Sequence, residues 1–153
     1  MSDFIVYLDT SEVRPGKLGE LKAAMLDLAR FVEVNEPRII AYDVYFSADG
    51  TRMSVLHVHT DVPSLEFHLK VAGPQFPPIA PLVQLRTIEI FGAVTEELVK
   101  QLEAKTQLLG GSVIIHGLHA GFARIPEARQ HRQWALVCPP APVNGPKVPC
   151  FRH

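Results

Sequence analysis

The sequence lacks several features that would assign it to a functional class at once. It has only two cysteines, Cys138 and Cys150, and both lie near its end, so they could link no more than that segment. Fifteen Lys and Arg residues against sixteen Asp and Glu leave a formal net charge of -1, without a basic stripe for a nucleic-acid backbone. No apolar run approaches the roughly 20 residues that span a bilayer. We therefore expect no nucleic-acid partner, no membrane partner and, by default, a cytoplasmic protein.

Common catalytic motifs are also missing. The chain contains no G-x-S-x-G nucleophile elbow, no phosphate-binding P-loop, no G-x-G-x-x-G dinucleotide motif and no C-x-x-C redox pair. Hydrolase, nucleotide-binding and dithiol functions therefore have no support in the sequence.

What is present is an ordinary hydrophobic content, 47% of 153 residues, which is enough to bury a core. Helical and strand periodicities run through residues 1–124 and then stop. Five of the thirteen prolines fall between positions 139 and 149. We predict one domain at 1–124 and an irregular, proline-rich tail at 125–153 that drapes over a partner subunit.

The order of the predicted elements indicates an α+β fold. They are strands at 4–9, 39–46, 52–60 and 85–91, helices at 17–35, 61–71 and from Thr95 to Gly110-Gly111, and a short fifth strand at 112–115. Strand-helix-strand followed by strand-helix-strand is the order of a ferredoxin-like βαββαβ antiparallel sheet, here with an extra C-terminal helix and strand.

Residue parity divides the predicted strands into two faces. One face is almost wholly apolar: Phe4, Val6, Leu8, Ile40, Tyr42, Val44, Phe46, Leu56, Val58, Ile88 and Ile90. The other mixes aromatic and polar groups: Ile5, Tyr7, Asp9, Ala41, Asp43, Tyr45, Val55, His57, His59, Thr87, Glu89 and Phe91. Because helices in this topology cover one side only, we predict that two sheets pair in a homodimer through the apolar face. The mixed face has the composition of a ligand pocket.

Several short segments, in order, resemble the antibiotic-biosynthesis-monooxygenase superfamily. They are Val13-Arg14-Pro15-Gly16, Asn35-Glu36-Pro37, Tyr42-Asp43-Val44-Tyr45, Asp61 with His68-Leu69, and Phe91-Gly92. The resemblance extends over roughly four fifths of the chain. It implies a dimeric α/β barrel of ferredoxin-like units that oxygenates electron-rich aromatics, such as anthrone-like polyketides and quinols, with dioxygen as co-substrate and without metal or flavin.

The resemblance also implies a pocket between sheet and helices, with a polar residue late in the first strand, an aromatic residue ending the third and a histidine on the second helix. Those positions are occupied here by Asp9, His59 and His68. The aromatic residue that ends the third strand is often tryptophan in the family, so His59 at that position is a departure from the family pattern.

The predicted chemistry centres on two histidines. His68 shares a helical face with Leu65 and Leu69, and we expect His68 or His59 to deprotonate an aromatic hydroxyl. The predicted substrate-binding residues are Tyr7, Asp9, Asp43, Tyr45, His57 and Glu89. An enclosed cavity lined by Tyr7, Tyr45, His59 and His68 is a consequence of this hypothesis.

Three alternatives stay open on the sequence alone. His57-x-His59 is a spacing that also serves metal ions when further ligands converge, although we predict no metal site. The same fold also suits a non-catalytic binder of small molecules. An isomerase or lyase of the muconolactone type is the third, and turnover without oxygen would favour it.

Overall fold

The computed structural model describes residues 4–124, and the predicted tail at 125–153 lies outside the described residues. The elements are β1 (Ile5–Val13), α1 (Leu18–Asn35), β2 (Ile39–Phe46), β3 (Arg52–His59), α2 (Val62–Ala72), β4 (Val83–Phe91), α3 (Glu96–Leu109) and β5 (Ser112–His116). Two 3₁₀ turns, Gly73–Gln75 and Ala80–Leu82, connect α2 to β4. The first compact unit of the chain ends at Phe122.

The strands form one sheet in the order β2-β3-β1-β4-β5. Neighbouring strands pair antiparallel, except that β5 pairs parallel to β4 after the α3 crossover. The predicted α+β, ferredoxin-like βαββαβ fold with an extra C-terminal helix and strand is therefore confirmed.

The first strand extends beyond the predicted range 4–9 because its polar second half pairs with both neighbouring strands. Thr10 and Ser11 have no strand-like alternation of apolar residues, yet Ser11 pairs with Met53 on β3 and is buried. The central position of β1, with a hydrogen-bonded strand on each side, satisfies the backbone polar groups of this polar half.

The helices follow their apolar periodicity and their capping residues. The buried stripe of α1 consists of Leu21, Met25, Leu28 and Val32. At the start of α2, the Asp61 carboxylate accepts a hydrogen bond of 2.9 Å from the Ser64 backbone N–H. At the start of α3, the Thr95 hydroxyl accepts one of 3.1 Å from the Leu98 N–H. No helix in residues 4–124 is both long and apolar enough to cross a membrane.

The three helices cover one side of the sheet, here called the helix face, and the opposite side is called the open face. Directly paired residues share a face, and Tyr7 pairs with His57 and with Ile90, while His57 pairs with Tyr42. Tyr42 and Ile90 therefore belong to the helix face together with the histidines.

The predicted partition of β2 and β4 between the two faces was thus wrong. Ile88 and Ile90 are buried under the helices, whereas Asp43, Tyr45 and Glu89 lie on the open face with Val6, Leu8, Leu56 and Val58. Parity is defined within a strand, but the register between strands depends on their pairing, and a slip of one residue exchanges the faces. A register shift between Ile39 and Ala41 in β2 contributes to this error.

Candidate active site between the sheet and the helices

Three aromatic rings form a row across the helix face. His57 on β3 lies between Tyr7 on β1, with ring centroids 4.4 Å apart, and Tyr42 on β2, with centroids 4.5 Å apart. The registers of the two strand pairs place these residues directly opposite one another. The row forms the sheet wall of the site.

A buried histidine and glutamate meet above this row. His68 on α2 and Glu36, which follows the last residue of α1, are joined by a contact of 2.8 Å between Nδ1 and Oε2. Both side chains are almost completely inaccessible to solvent, and the His68 Nε2 has no hydrogen-bond partner. A neutral His68 that donates its Nδ1 proton to the carboxylate has Nε2 left as a hydrogen-bond acceptor.

The other two histidines of the site, His57 and His59, are as buried as His68 but have no carboxylate partner among residues 4–124. Burial lowers the pKa of His57 well below its usual value, and repulsion from a protonated His68, from Lys105 and from a protonated His59 lowers it further. Burial, and then repulsion from a protonated His68, lower the pKa of His59 to about 3, although its Nδ1 contacts the Ser64 hydroxyl at 3.0 Å. Both rings are neutral at physiological pH. This favours His68 over His59 as the proton acceptor.

A buried ammonium group occupies the other end of the site. Lys105 on α3 donates to the Tyr7 hydroxyl over 2.5 Å and to the Asp9 carboxylate over 3.1 Å, and the Tyr7 hydroxyl donates to Asp9 over 2.9 Å. The ammonium also lies 4.4 Å from the centre of the Phe76 ring. Burial, and then the negative charge of Asp9, raise the pKa of Tyr7 well above its usual value, so that its hydroxyl stays protonated.

Several of these groups border a small cavity of about 30 Å³, which has room for roughly two water molecules. Its polar lining consists of Asp9, Ser11, Tyr42, His57, His68 and Lys105. Its apolar lining consists of Met25, Leu28, Met53, Val55, Phe76, Ile79, Val83, Leu85 and Leu109. The arrangement combines a base, a cation and a mostly apolar wall, as acid–base chemistry on a small organic molecule requires.

Solved structures resemble this fold. The chain superposes with MupZ from Pseudomonas fluorescens at a TM-score of 0.63 and 18% identity, over 79% of this chain and 94% of MupZ. A Caulobacter crescentus protein assigned to the antibiotic biosynthesis monooxygenases matches with a TM-score of 0.54 and 25% identity, over 61% and 92%. SnoaB, a cofactor-independent oxygenase from Streptomyces nogalater, matches with a TM-score of 0.52 and 18% identity, over 61% of this chain and 95% of SnoaB. This chain has the antibiotic-biosynthesis-monooxygenase-like fold. No family model and no curated protein matches the sequence.

On this monooxygenase-like fold, the predicted site residues separate into two groups. Tyr7, Asp9, His57, His59 and His68 lie together on the helix side of the sheet. Asp43, Tyr45 and Glu89 do not: Tyr45 is 55% exposed and hydrogen-bonds Asp43 over 3.4 Å, and Glu89 contacts His116 at 3.0 Å on the open face. Of the four residues predicted to line an enclosed cavity, Tyr7, Tyr45, His59 and His68, only His68 lines the cavity that the structure shows, and Tyr42 lies in its wall instead of Tyr45.

Sequence reasoning missed three residues of this site. Tyr42 was placed on the wrong face, and Glu36 was noticed only as part of the Asn35-Glu36-Pro37 segment. Lys105 could have been found from the sequence, because it follows Leu98 and Leu102 on the buried stripe of α3. A charged residue on such a stripe is unusual and indicates a buried partner. Within residues 4–124, no group of three or more His, Cys, Asp and Glu side chains is placed to hold a metal ion.

The depressed histidine pKa values predict acid sensitivity. Because the folded pKa of His57 and of His59 lies below the unfolded value of 6.5, the unfolded chain binds more protons below that pH. The free energy of unfolding is therefore independent of the protonation of these histidines above about pH 6.5. Towards pH 5 it falls by up to about 1.4 kcal/mol per pH unit for each histidine. Urea unfolding at a series of pH values measures this slope. A His57→Phe variant, which retains an aromatic ring between the two tyrosines, should show a smaller slope, and an unchanged slope would contradict the assignment.

Proposed function

We propose that this protein is a cofactor-independent monooxygenase that oxidises electron-rich aromatic small molecules, such as quinols or polyketide-like phenols. The observation that carries the proposal is the buried Glu36–His68 pair, whose Nε2 is free and whose imidazole lines the cavity. The similarity in fold to SnoaB, a cofactor-independent oxygenase, supports the reaction class. A small aromatic ligand, which the family resemblance already implied, is the corresponding substrate.

In this reaction His68 accepts the proton of an aromatic hydroxyl at Nε2, and the resulting imidazolium is stabilised by the Glu36 carboxylate. The electron-rich anion then reacts with dioxygen. In an anthrone-like substrate, the carbon that is CH₂ in the keto tautomer becomes C=O, so that one oxygen atom enters the product and the other leaves as water with the remaining hydrogen of that carbon. The substrate supplies the four electrons that reduce dioxygen, and the proton on His68 is returned to the departing oxygen.

An aromatic ring does not fit in a cavity of 30 Å³, so the lining must open to admit it. Met25 and Met53 both line the cavity, and an unbranched thioether side chain changes its rotamer more readily than a branched one. We propose that these two methionines move aside when the substrate enters.

The test is oxygen uptake by the purified, chelator-treated protein with a panel of quinols and anthrone-like phenols. We expect one dioxygen consumed for each ketone or quinone formed, and no turnover under anaerobic conditions. Turnover without oxygen would instead favour the isomerase or lyase. Binding of the same compounds without oxygen uptake would favour a non-catalytic binder.

We also propose a homodimer that buries the open face of the sheet. Val6, Leu8, Leu56 and Val58 form an apolar strip there, and Phe91 beside them is 39% exposed. Apolar surface of this kind marks an interface, and a two-fold axis lets one strip cover its equivalent. Sedimentation equilibrium should give twice the chain mass, and Leu56→Glu should give a monomer. A wild-type monomer would contradict this proposal.

A further inference from the structure

Lys105 is buried at a cost that packing alone does not explain. Its side chain is 7% exposed, and it occupies the stripe of α3 on which Leu98 and Leu102 pack into the core. A lysine is almost never buried without a partner, because removing an ammonium group from water is expensive. A leucine or methionine at this position would fill the space without that cost.

The ammonium retains capacity to bind a further group. Of its three N–H donors, the described residues accept two, one at the Tyr7 hydroxyl and one at the Asp9 carboxylate. The faces of the Phe76 and Tyr7 rings, at 4.4 and 4.9 Å, lie beside the cation without supplying an acceptor. Lys105 also lines the cavity that His68 lines.

We propose that Lys105 holds the oxygen of an aromatic hydroxyl in its anionic form after His68 has taken the proton, and that the substrates are therefore phenols bound as phenolates. The ligand class rests on the proposed function, whereas the role of the cation rests on its own contacts. Lys105 thus becomes a catalytic residue, and Asp9 and Tyr7 are positioning residues that hold its ammonium group.

The surroundings of Lys105 strengthen its attraction for an anion. In a site from which water is largely excluded, a fixed cation stabilises developing negative charge far better than it does in water. His57 and His59 are neutral, and so provide no competing positive charge. The raised pKa of Tyr7 keeps its hydroxyl protonated and hydrogen-bonded to Asp9, so Tyr7 adds no negative charge beside the ammonium, which faces the cavity together with His68.

The test uses 4-nitrophenol, whose phenolate absorbs visible light, together with nitrobenzene as a neutral probe of similar shape. Bound to the wild-type protein, the phenol should ionise at a pH about one to two units lower than in water. In Lys105→Met this shift should disappear, and nitrophenolate should bind about 10- to 100-fold more weakly, whereas nitrobenzene should bind within about twofold of wild type.

Two further variants separate charge from structure. Lys105→Arg keeps the cation and should recover most of the shift. Lys100→Met removes an exposed lysine from the same helix and should leave binding of both probes unchanged. Urea unfolding of each variant establishes that it is folded before binding is measured.

An equal loss of nitrophenolate and nitrobenzene binding in Lys105→Met would overturn the proposal, because Lys105 would then be a purely structural residue. Failure of the folded wild-type protein to lower the pH of ionisation would overturn it as well. The proposed oxygenase function is tested separately by oxygen uptake. If phenolate binding depended on Lys105 but no oxygen were consumed, the role of Lys105 would stand and the oxygenase function would be rejected.

Discussion

Replacing His68 by glutamine should lower oxygen uptake by at least about 100-fold, with binding of a neutral aromatic ligand little changed. A glutamine side chain hydrogen-bonds but does not accept a proton at neutral pH. The loss should therefore appear in the rate constant for turnover, and not in the affinity. Initial rates of oxygen consumption over a range of substrate concentrations measure both quantities.

Replacing Glu36 by glutamine should also lower the rate of oxygen uptake. A carboxamide hydrogen-bonds His68 but carries no charge to stabilise the imidazolium, so we expect a loss of at least about tenfold. The matched control is His119→Gln, which alters an exposed histidine outside the site and should retain full activity. If His68→Gln kept more than a tenth of the wild-type rate, another group would have to be the base.

The order of the elements was predictable because each element has a local signal. The stripe of α1 repeats at three- and four-residue steps, and Asp49-Gly50 marks the β2–β3 hairpin, where Gly50 has a φ of +70°. The ends of β1 and β4 were less predictable: β4 begins at Val83, two residues before the predicted start at position 85. Pairing between strands that are distant in the sequence determines where β1 and β4 end, and a local sequence pattern does not show that pairing.

The site was predictable only in part, for the same physical reason. His68 was found because its neighbours on α2 show that it points inward. Glu36 lies thirty-two positions before it in the sequence and meets it only when α1 and α2 pack together. The partition of β2 and β4 required the strand register, so that Tyr42 and Tyr45 were each assigned to the wrong face of the sheet. Local patterns therefore identify an inward-facing residue, but not its partner from another element.

A second large effect concerns α3, the helix that carries Lys105. Leu98→Ala should lower the free energy of unfolding by about 2–5 kcal/mol, because Leu98 is fully buried and its removal leaves a cavity under the helix. Leu108 on the same helix is 49% exposed, and Leu108→Ala should change stability by no more than about 0.5 kcal/mol. The two variants remove the same atoms from one helix, so helix propensity is matched between them. Urea unfolding gives both values.

The difference between the two leucine variants measures how firmly α3 is anchored to the sheet, and hence how well Lys105 is positioned. Loss of packing at Leu98 loosens the turns that precede Lys105, so Leu98→Ala should also weaken nitrophenolate binding, although residue 98 is not part of the cavity lining. Leu108→Ala should leave that binding unchanged. Equal stabilities of the two variants would mean that α3 is not packed through Leu98, and the placement of Lys105 beside Asp9 at the cavity would then lack its structural support.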